Sequence, residues 1–347
     1  MGKLDKIRFG IIGCGVIAPW HARSIVDIEE AELVACCDII EERAQKLAEE
    51  FGARKVYTDH KELLADSEID AVCVCTPSGL HGPITVDAAK AGKHVMCEKP
   101  IEITLPKIDA MIEACRKAGV KLGVIFQRRT SRVWHKIKET IEAGKLGRMV
   151  LGDAYLKYFR SQEYYDSGEW RGTWELDGGG ALMNQGVHMV DILRWIMGPA
   201  ESVYALADHL VRKIEVEDTA CAVIKWKNGA FGVLQGTTSV TPGMPHRLEF
   251  HGELGSILTE GEAITKWAVP GEEEPKEEDN VEIGSSASDP KAIATEGHRI
   301  QIRDLCYAIM EDRDPMVTGE EARKAVELIL AIYESARTGK PVFLETS

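Results

Sequence analysis

One short run constrains the fold of this chain more than any other, because it joins a strand to a helix through a glycine turn. Gly13-Cys14-Gly15-Val16-Ile17-Ala18 follows the apolar segment Ile7–Ile12 and opens a helical stretch. In such a unit Gly13 permits the tight turn, Gly15 lets the backbone approach a pyrophosphate, and Ala18 keeps the helix close to the strand. The run therefore predicts the first βα unit of a dinucleotide-binding domain.

Residues 7–126 continue this rhythm by alternating short apolar runs with helical periods. Near-continuous apolar strands are typical of a parallel sheet that is covered on both faces. Gly92 is placed to end one of the intervening helices. The predicted strands are Ile7–Ile12, Leu33–Cys37, Ala71–Cys75, His94–Met96 and Lys121–Phe126, and the helices include Glu41–Phe51 and Gly82–Ala91.

Beyond residue 127 the pattern changes to long alternating segments without helices between them, which indicates an open, mostly antiparallel sheet. Strands are predicted at Arg148–Phe159, Glu201–Leu210, Thr219–Trp226, Phe231–Thr238, Arg247–His251 and Ser256–Thr259. Helices are predicted at Ser131–Ala143, Ala181–Met197, His298–Glu311 and Glu320–Thr338. The acidic stretch Gly271–Glu282 is predicted to be a solvated loop.

These patterns predict an α/β protein of two domains. Residues 1–126 would form a Rossmann doubly wound parallel sheet that binds a dinucleotide. Residues 127–347 would form an α+β domain with a large open, mostly antiparallel sheet for substrate binding and oligomerisation, with the C-terminal helix free to pack back on the first domain.

Composition and charge argue against several classes of protein. A formal net charge of -14 over 347 residues disfavours binding of nucleic acid, since phosphate neutralisation needs clustered Lys and Arg. No apolar run is long enough for a membrane span, and the N-terminus lacks a signal-peptide core. The nine cysteines show no Cys-x-x-Cys spacing. We therefore expect a cytoplasmic protein with reduced thiols and no metal site.

The residue after the second predicted strand bears on the choice of cofactor. An acid at this position binds the ribose hydroxyls of the adenosine half of a dinucleotide. Asp38 stands there, 20 residues after Ala18, and Ile39 and Ile40 follow it. A phosphate on that ribose would face a carboxylate without an obvious cationic partner, so the pattern favours NAD over NADP.

A charged pair follows the strand His94–Met96 and precedes Pro100. Because ligands bind outside the carboxyl ends of the strands in a doubly wound sheet, we expect Lys99 of the pair Glu98-Lys99 to project into the cofactor crevice. A surface charge is the alternative interpretation of Lys99.

The predicted helix Ala181–Met197 carries an independent signal. It is apolar nearly all round and should be largely buried, yet Asn184, His188 and Asp191 fall at i, i+4 and i+7 on one stripe. A buried polar stripe must be paired or must line a polar cavity. A structural core histidine is the alternative for His188, and Asp191 is expected to hold a neighbour or a loop.

Oxidation of a secondary alcohol requires loss of a proton from oxygen and of a hydride from carbon. His188 is the natural proton acceptor, because an unperturbed imidazole titrates near neutral pH. Lys99 would donate a hydrogen bond to the same oxygen and stabilise its developing negative charge. Which of the two carries the proton directly is left open by the residues.

The second domain is expected to supply the substrate contacts. Its first residues and the loop around residues 160–174 combine aromatic rings, which pack on sugar C–H faces, with Arg forks, which bind carboxylate or phosphate. The pattern favours a polyhydroxylated substrate that carries negative charge, although Arg160 and Arg171 could equally be surface or interface residues. The predicted substrate-binding residues are Lys99, Arg128, Arg160, Tyr164, Trp170, Arg171, Asn184 and His188.

Four segments together resemble the Gfo/Idh/MocA group of sugar and polyol oxidoreductases. They are Gly13–Ala18, Thr76-Pro77-Ser78-Gly79-Leu80-His81, Gly92-Lys93-His94-Val95-Met96-Cys97-Glu98-Lys99-Pro100 and Asn184-Gln185-Gly186-Val187-His188. The family usually has Asp-x-Gly-x-His in the last segment, so Asn184 leaves a carboxylate–histidine relay open.

The resemblance implies that Lys99 is catalytic, that Glu98 lies near the nicotinamide ribose, and that the Lys99-Pro100 peptide is cis. It also implies the residues that line the cofactor crevice, and we extend this prediction to neighbours of the glycine turn and of the last parallel strand. The predicted cofactor-binding residues are Gly13, Gly15, Val16, Ile17, Asp38, Thr76, Pro77, His81, Glu98, Lys99 and Gln127.

The stretch from Arg160 to Gly186 is similar to bacterial dehydrogenases that oxidise the 3-hydroxyl of UDP-activated N-acetylated glucuronic acid. The leading prediction is therefore an NAD-dependent sugar dehydrogenase that acts on a CH–OH group of a pyranose, at carbon 3, with a nucleotide sugar first among its substrates. An inositol, free-sugar or glycoside dehydrogenase and a non-catalytic NAD-binding sugar sensor are the alternatives. Because the exposed face of an open sheet needs a cover, we also predict a homodimer or homotetramer.

Overall fold

The computed structural model describes residues 6–273, 275 and 295–344. Most of the predicted acidic loop, Gly271–Glu282, lies outside the described residues. Two compact units make up the chain. The first contains residues 1–127 and 295–323, and the second contains residues 128–294 and 324–347.

A six-stranded parallel sheet forms the centre of the first unit, with strand order β3-β2-β1-β4-β5-β6. The strands are β1 (Ile7–Ile12), β2 (Ala31–Cys37), β3 (Lys55–Tyr57), β4 (Ala71–Val74), β5 (His94–Cys97) and β6 (Leu122–Val124). The order reverses between β1 and β4, which is the position where doubly wound sheets bind ligands. The predicted Rossmann sheet is confirmed, and β3 is a strand that the sequence patterns did not indicate.

Helices connect these strands, and a helix from the C-terminal part of the chain joins them. They are α1 (Ala18–Val26), α2 (Glu41–Phe51), α3 (His60–Ala65), α4 (His81–Lys90), α5 (Leu105–Ala118) and α9 (Thr295–Glu311). Ile302, Leu305 and Cys306 of α9 belong to the same apolar core as β1 and α1. The first unit is therefore completed by residues that lie far from it in sequence.

An eight-stranded sheet forms the second unit, with strand order β13-β12-β11-β7-β10-β9-β8-β14. Among the pairings made by the described residues of this sheet, only that of β7 with β10 is parallel, so the prediction of a mostly antiparallel open sheet is confirmed. The strands are β7 (Met149–Lys157), β8 (Ala200–Asp208), β9 (Thr219–Trp226), β10 (Phe231–Thr237), β11 (Arg247–Gly252), β12 (Ser256–Glu260), β13 (Ala263–Ala268) and β14 (Val342–Phe343).

The second unit also contains helices. They are α6 (Arg132–Glu142), α7 (Gln162–Asp166), α8 (Val187–Met197) and α10 (Gly319–Thr338), the last of which begins in the first unit. Helix α8 packs on β7, and α6 packs on α8. Alternate residues of β9 are buried and exposed, as expected for a strand whose second face is open.

None of the helices in residues 6–273 and 295–344 combines the length and the hydrophobicity that a bilayer crossing requires.

Candidate functional site

The glycine turn after β1 has the geometry that close approach of a ligand needs. Gly13 has a φ of 92°, and a Cβ there would lie 2.7 Å from the carbonyl carbon of Cys75, so a side chain is excluded on both grounds. A Cβ on Gly15 would meet no described atom within 4 Å. The backbone at Gly15 is thus open on the side from which a pyrophosphate would approach.

Helix α1 begins directly behind this turn. Ala18 is fully buried, which allows the helix to lie close to the sheet. Ile17 occupies the N-cap position, and its apolar side chain cannot accept a hydrogen bond from the first-turn amides. These amides and the helix dipole favour an anion in front of the helix. Val16 in the turn is exposed.

Asp38 follows β2 and is hydrogen-bonded to the glycine turn. Its Oδ2 accepts the backbone N–H of Cys14 at 2.8 Å, and its Oδ1 accepts that of Ile40 at 2.9 Å. The next residue, Ile39, is 90% exposed. The carboxylate that should bind a ribose is therefore held beside the turn that should bind the phosphates.

The segment after β4 contributes a hydroxyl and a buried imidazole. Thr76 Oγ1 is buried and has no hydrogen-bond partner among the residues that the structure describes. His81 is 1% exposed, with Nε2 at 2.9 Å from Thr76 O and Nδ1 at 2.9 Å from Pro100 O. The structure therefore places His81 as a brace that joins the loops after β4 and β5, next to Thr76 and Pro77.

Lys99 follows β5 and is half-buried, and its peptide bond to Pro100 is cis, as the resemblance implies. The preceding Glu98 is buried, and its Oε2 accepts the backbone N–H of Lys99 at 3.0 Å. Gln127, beyond β6, is also buried and contacts α9 at Gly297.

Two observations indicate that these residues can accommodate an NAD molecule. The backbone at Gly15 is open, and the buried hydroxyl of Thr76 has no hydrogen-bond partner among the described residues. The glycine turn and the α1 amides would hold the pyrophosphate, and Asp38 would hold the adenosine ribose. Thr76, Glu98 and Lys99 lie at the carboxyl ends of β4 and β5, where such a sheet presents its ligand.

In the second unit, the predicted substrate residues form one hydrogen-bonded network through Gln185. Its Nε2 donates to the hydroxyl of Tyr164 at 2.9 Å, and its Oε1 accepts Nε of Arg160 at 3.1 Å. The Tyr164 hydroxyl also accepts Nη1 of Arg171 at 2.5 Å. Gln185 Nε2 further donates to Oδ1 of Asn184 at 3.0 Å.

Two arginines of this network have different surroundings. The guanidinium of Arg171 lies 4.4 Å from the ring centre of Tyr164 and 4.5 Å from that of Trp170, so it is stacked between two aromatic faces. Arg160 is 3% exposed, and burial lowers the pKa of its guanidinium. Both cations are oriented by neutral groups, Tyr164 and Gln185 among them, which suits binding of an anionic ligand.

The predicted helix Ala181–Met197 has the bounds observed in the structure, but residues Ala181–Gly186 form a wide π-helical turn before the α-helix α8 begins. Glycine permits it: a Cβ on Gly180 would lie 2.0 Å from the carbonyl oxygen of Glu217. Single π turns occur frequently at functional sites. Asn184 lies in this turn, where it donates to Asp177 Oδ1, and His188 is buried at the start of α8.

Glu217 accepts hydrogen bonds from residues at the start of the π turn. Its carboxylate accepts the N–H of Gly180 at 2.9 Å, the N–H of Leu182 at 2.8 Å and the hydroxyl of Tyr333 at 2.8 Å. Burial raises the pKa of Glu217 to about 7, against the opposing effect of these three donors. The residue thereby fixes the segment that carries Asn184 and leads into His188.

We expect Glu217→Gln to destabilise the protein by about 2 kcal/mol, because one acceptor oxygen becomes an NH₂ group that faces a buried donor. The measurement is thermal unfolding at pH 8, above the pKa of Glu217, where the midpoint should fall by roughly 4–8 °C. Glu260→Gln, at an exposed position of β12, is the matched control and should not change the midpoint. An unchanged midpoint for Glu217→Gln would contradict this role.

Two charged residues are engaged elsewhere in the second unit. Arg128 pairs with Glu262. Asp191 binds Arg129 through two hydrogen bonds of 2.7 Å, from Nε and Nη2, and both side chains are buried. Asp191 therefore holds a neighbour, as expected from its position on α8.

Among the residues that the structure describes, two clusters each place three possible ligand atoms for a metal within 4.8 Å of one another. One is His21, Glu98 and His298 in the first unit, and the other is Asp153, Glu249 and His251 in the second. In the first cluster the His21–Glu98 distance of 2.7 Å is that of a hydrogen bond.

Most of the residues that the sequence patterns missed act through partners distant in sequence, whereas Asp177 contacts Gly172 and Asn184, five and seven residues away. Asp177 and Gln185 stand in segments that were singled out, but neither has a spacing that indicates its role. The missed residues are His21, Asp177, Gln185, Glu217 and His298.

Comparison with known proteins fits this geometry. Residues 7–126 match the oxidoreductase family with an NAD-binding Rossmann fold, and residues 134–258 match the C-terminal domain of the Gfo/Idh/MocA proteins. The first unit is thus the NAD-binding domain of an oxidoreductase. Myo-inositol 2-dehydrogenase of Thermotoga maritima is 31% identical over 98% of this chain and 99% of its own. The chain belongs to the Gfo/Idh/MocA family.

Solved structures agree over the whole chain. The WlbA dehydrogenase of Bordetella pertussis, in complex with NADH and UDP-GlcNAcA, is 36% identical with a TM-score of 0.88, and the match covers 99% of this chain and 100% of that one. The WlbA dehydrogenase of Chromobacterium violaceum, with the same two ligands, is 34% identical with a TM-score of 0.89, covering 99% and 97%.

Proposed function

We propose that this protein is an NAD-dependent dehydrogenase of a nucleotide sugar, which oxidises the hydroxyl at carbon 3 of a pyranose that carries a carboxylate. The observation that carries the proposal is the network around Gln185, in which Gln185 orients Arg160 while Tyr164 and Trp170 orient Arg171. Aromatic faces and Arg forks together suit a sugar with negative charge. The likeness to two WlbA dehydrogenases supports the same substrate class.

The chemistry needs an acceptor for the hydride and groups that manage a proton on oxygen. NAD supplies the hydride acceptor when it is bound. His188 accepts the proton of the substrate hydroxyl, and Lys99 donates a hydrogen bond to that oxygen and stabilises its negative charge. In the reverse direction one of these two groups returns the proton.

NAD is preferred over NADP in this proposal. Asp38 presents its carboxylate beside the glycine turn and is followed by exposed Ile39. A ribose phosphate at this place would meet that carboxylate and an apolar side chain instead of a cation.

The test is the appearance of reduced-nicotinamide absorbance when the protein and NAD are mixed with candidate substrates. UDP-GlcNAcA should be oxidised, whereas UDP-GlcNAc, which lacks the carboxylate, and free glucuronic acid, which lacks the nucleotide, should react much more slowly. Faster oxidation of an uncharged polyol than of UDP-GlcNAcA would contradict the proposal.

A second candidate is an inositol or free-sugar dehydrogenase. The likeness to myo-inositol 2-dehydrogenase over almost the full chain favours it. Myo-inositol therefore belongs in the same substrate series, and its preferred oxidation would establish this alternative.

Arg171 provides a direct test of charge recognition. We expect Arg171→Met to raise KM for UDP-GlcNAcA by about tenfold to a hundredfold, because a charge-assisted hydrogen bond is lost, with a smaller change in kcat. Arg171→Lys keeps the charge without the fork and should lie in between. Arg148→Met, at an exposed position before β7, is the control. Steady-state kinetics would contradict the assignment if Arg171→Met and Arg148→Met gave the same KM.

We further propose that the open face of the second unit's sheet forms a homo-oligomer contact. Large apolar side chains are exposed there, Tyr204, Leu206, Val223 and Phe231 among them, and the strand registers place these four on one face. Contiguous apolar surface of this kind marks interaction sites.

Light scattering should therefore give two or four times the chain mass of 38.3 kDa. Leu206→Glu combined with Phe231→Glu should lower the mass towards that of one chain, whereas Arg132→Glu on α6 should not. A single-chain mass for the unaltered protein would contradict the proposal.

A cytoplasmic location fits the same proposal. All nine cysteines lie within the described residues, and all are free thiols, eight of them buried. Free thiols in this number suit a reducing compartment.

A further inference from the structure

A buried carboxylate in the first unit is held by two imidazoles that the chemistry above does not use. Glu98 Oε1 accepts a hydrogen bond from Nε2 of His21 at 2.7 Å and another from Nε2 of His298 at 3.4 Å. The side chains of all three residues are buried. The two rings also meet edge to face, with their centres 5.3 Å apart.

The two imidazoles come from different helices. His21 lies on α1, directly behind the glycine turn, and His298 lies on α9, 200 residues after Glu98. Helix α9 has two further attachments near the same ends of the sheet. Gln301 Nε2 donates to Val124 O at 3.1 Å, and a Cβ on Gly297 would lie 2.7 Å from the Cβ of Gln127. His298 is therefore presented by a helix that is held in place on both sides of it.

The surroundings of the two Nδ1 atoms show that His21 and His298 donate the hydrogen bonds to Glu98. Nδ1 of His21 and Nδ1 of His298 are buried and have no hydrogen-bond partner among the described residues. A buried N–H without an acceptor is costly, so each ring places its proton on Nε2, where it points at Glu98. Burial alone would raise the pKa of Glu98, but the hydrogen bonds from His21 and His298 hold it well below its usual range.

Other titratable groups around Glu98 do not replace these donors. The thiols of the flanking strands stay protonated, since burial raises their pKa well above the usual value. The titratable groups that face Glu98 are the imidazoles of His21 on α1 and His298 on α9, the adjoining Lys99, and three thiols. The thiols are those of Cys73 in β4, Cys75 just after β4 and Cys97 in β5.

The Glu98 carboxylate also fixes the position of the Lys99 backbone. While Oε1 is held by the two imidazoles, Oε2 accepts the backbone N–H of Lys99 at 3.0 Å. A rotation of the Glu98 side chain that breaks the first contacts also breaks the second, because both oxygens belong to one rigid group.

We propose that His21 and His298 are positioning residues, which keep Glu98 ionised and in one orientation and thereby fix the backbone at Lys99 beside the bound dinucleotide. Neither imidazole touches the reacting atoms. The consequence for turnover rests on the proposed function, in which Lys99 acts on the substrate oxygen, whereas the consequence for NADH binding does not.

Titration of the protein with NADH, followed by quenching of tryptophan fluorescence at pH 6 and pH 8, tests the proposal without any sugar. His298→Leu removes a donor, which raises the pKa of Glu98, so that the carboxylate is lost as the pH falls. We expect NADH affinity in this variant to be about tenfold weaker at pH 6 than at pH 8. The unaltered protein should bind equally at both values.

Two polar variants distinguish a positioning role of His298 from a contribution to protein stability alone. The amide of Gln reaches the place of Nε2, so His298→Gln should restore pH-independent binding. The shorter His298→Asn lacks a donor at that place and should behave like His298→Leu. The asparagine variant therefore replaces the leucine variant in this test if the latter does not fold. His60→Gln, at a partly exposed position of α3, is the control.

The outcomes are distinct. If His298→Leu and His298→Asn lower only the thermal midpoint and leave NADH affinity and its pH dependence unchanged, the two histidines are structural and the proposal is overturned. A stoichiometric metal ion in the unaltered protein, lost in these variants, overturns it as well, because ligating Nε2 atoms cannot donate. Should no sugar be oxidised while NADH binding responds as expected, the proposed function fails and the positioning role stands.

Discussion

Lys99→Met is expected to lower kcat with the preferred sugar substrate by about a thousandfold or more, while NADH still binds. The ammonium of Lys99 can donate to an alcohol oxygen and offset its negative charge, and such electrostatic and proton-transfer contributions each amount to about a hundredfold or more. Methionine has nearly the same length and keeps the packing of the stem without the charge. The measurements are steady-state kinetics and fluorescence titration with NADH.

Lys90→Met, at the exposed end of α4, is the matched control and should leave both constants unchanged. Lys99→Arg adds a second comparison, since it keeps the charge in a larger, planar group that cannot release a proton near neutral pH. A Lys99→Met protein that binds NADH and turns over at the normal rate would remove the catalytic assignment.

His188→Asn is expected to lower kcat by about a hundredfold to a thousandfold and to change the form of the pH profile. An asparagine amide preserves a polar group at the start of α8 but cannot accept a proton, so the contribution of a general base is lost. If His188 is the proton acceptor, it must be unprotonated to act, so kcat for oxidation in the unaltered protein should rise with pH, and this rise should disappear in the variant. The profile of kcat against pH is the decisive measurement.

His209→Asn is the control for this experiment, because His209 lies in the same unit and is exposed. An unchanged slope of the pH profile in His188→Asn, together with a lower thermal midpoint, would assign His188 to the structural role that its burial also allows. Lys99 would then be the immediate proton carrier.

Local patterns were sufficient to predict most elements of the first unit. Strand β1 and helix α2 have the predicted bounds, Ile7–Ile12 and Glu41–Phe51, because apolar runs and helical periods are properties of adjacent residues. The strand β3 is only three residues long, Lys55–Tyr57, and is half-buried throughout, so it carries no apolar run. It forms because β2 offers an edge for pairing.

In the second unit, the patterns predicted strands but not their partners. The parallel pairing of β7 with β10 requires a connection that local periodicity does not record. Strand β14 has two residues and exists through its pairing with β8. The π turn was also hidden, because it depends on glycines that let Glu217 approach the helix start.

The candidate site divides in the same way. Motif residues such as Gly13, Asp38 and Lys99 could be identified from their place after predicted strands. Gln185 and His298 could not, because their meaning comes from contacts with Arg160 and Glu98 that are made only in the folded chain.

The assignment of residues 295–323 to the first unit has a consequence for how the protein is made. On the ribosome, the first 127 residues emerge long before helix α9, so the apolar surface that Ile302 and Leu305 later cover stays uncovered while the second unit is being synthesised. A nascent chain stalled at residue 127 would expose this patch and should bind a holding chaperone. Release would come only when helix α9 has been synthesised and completes the apolar core of the first unit.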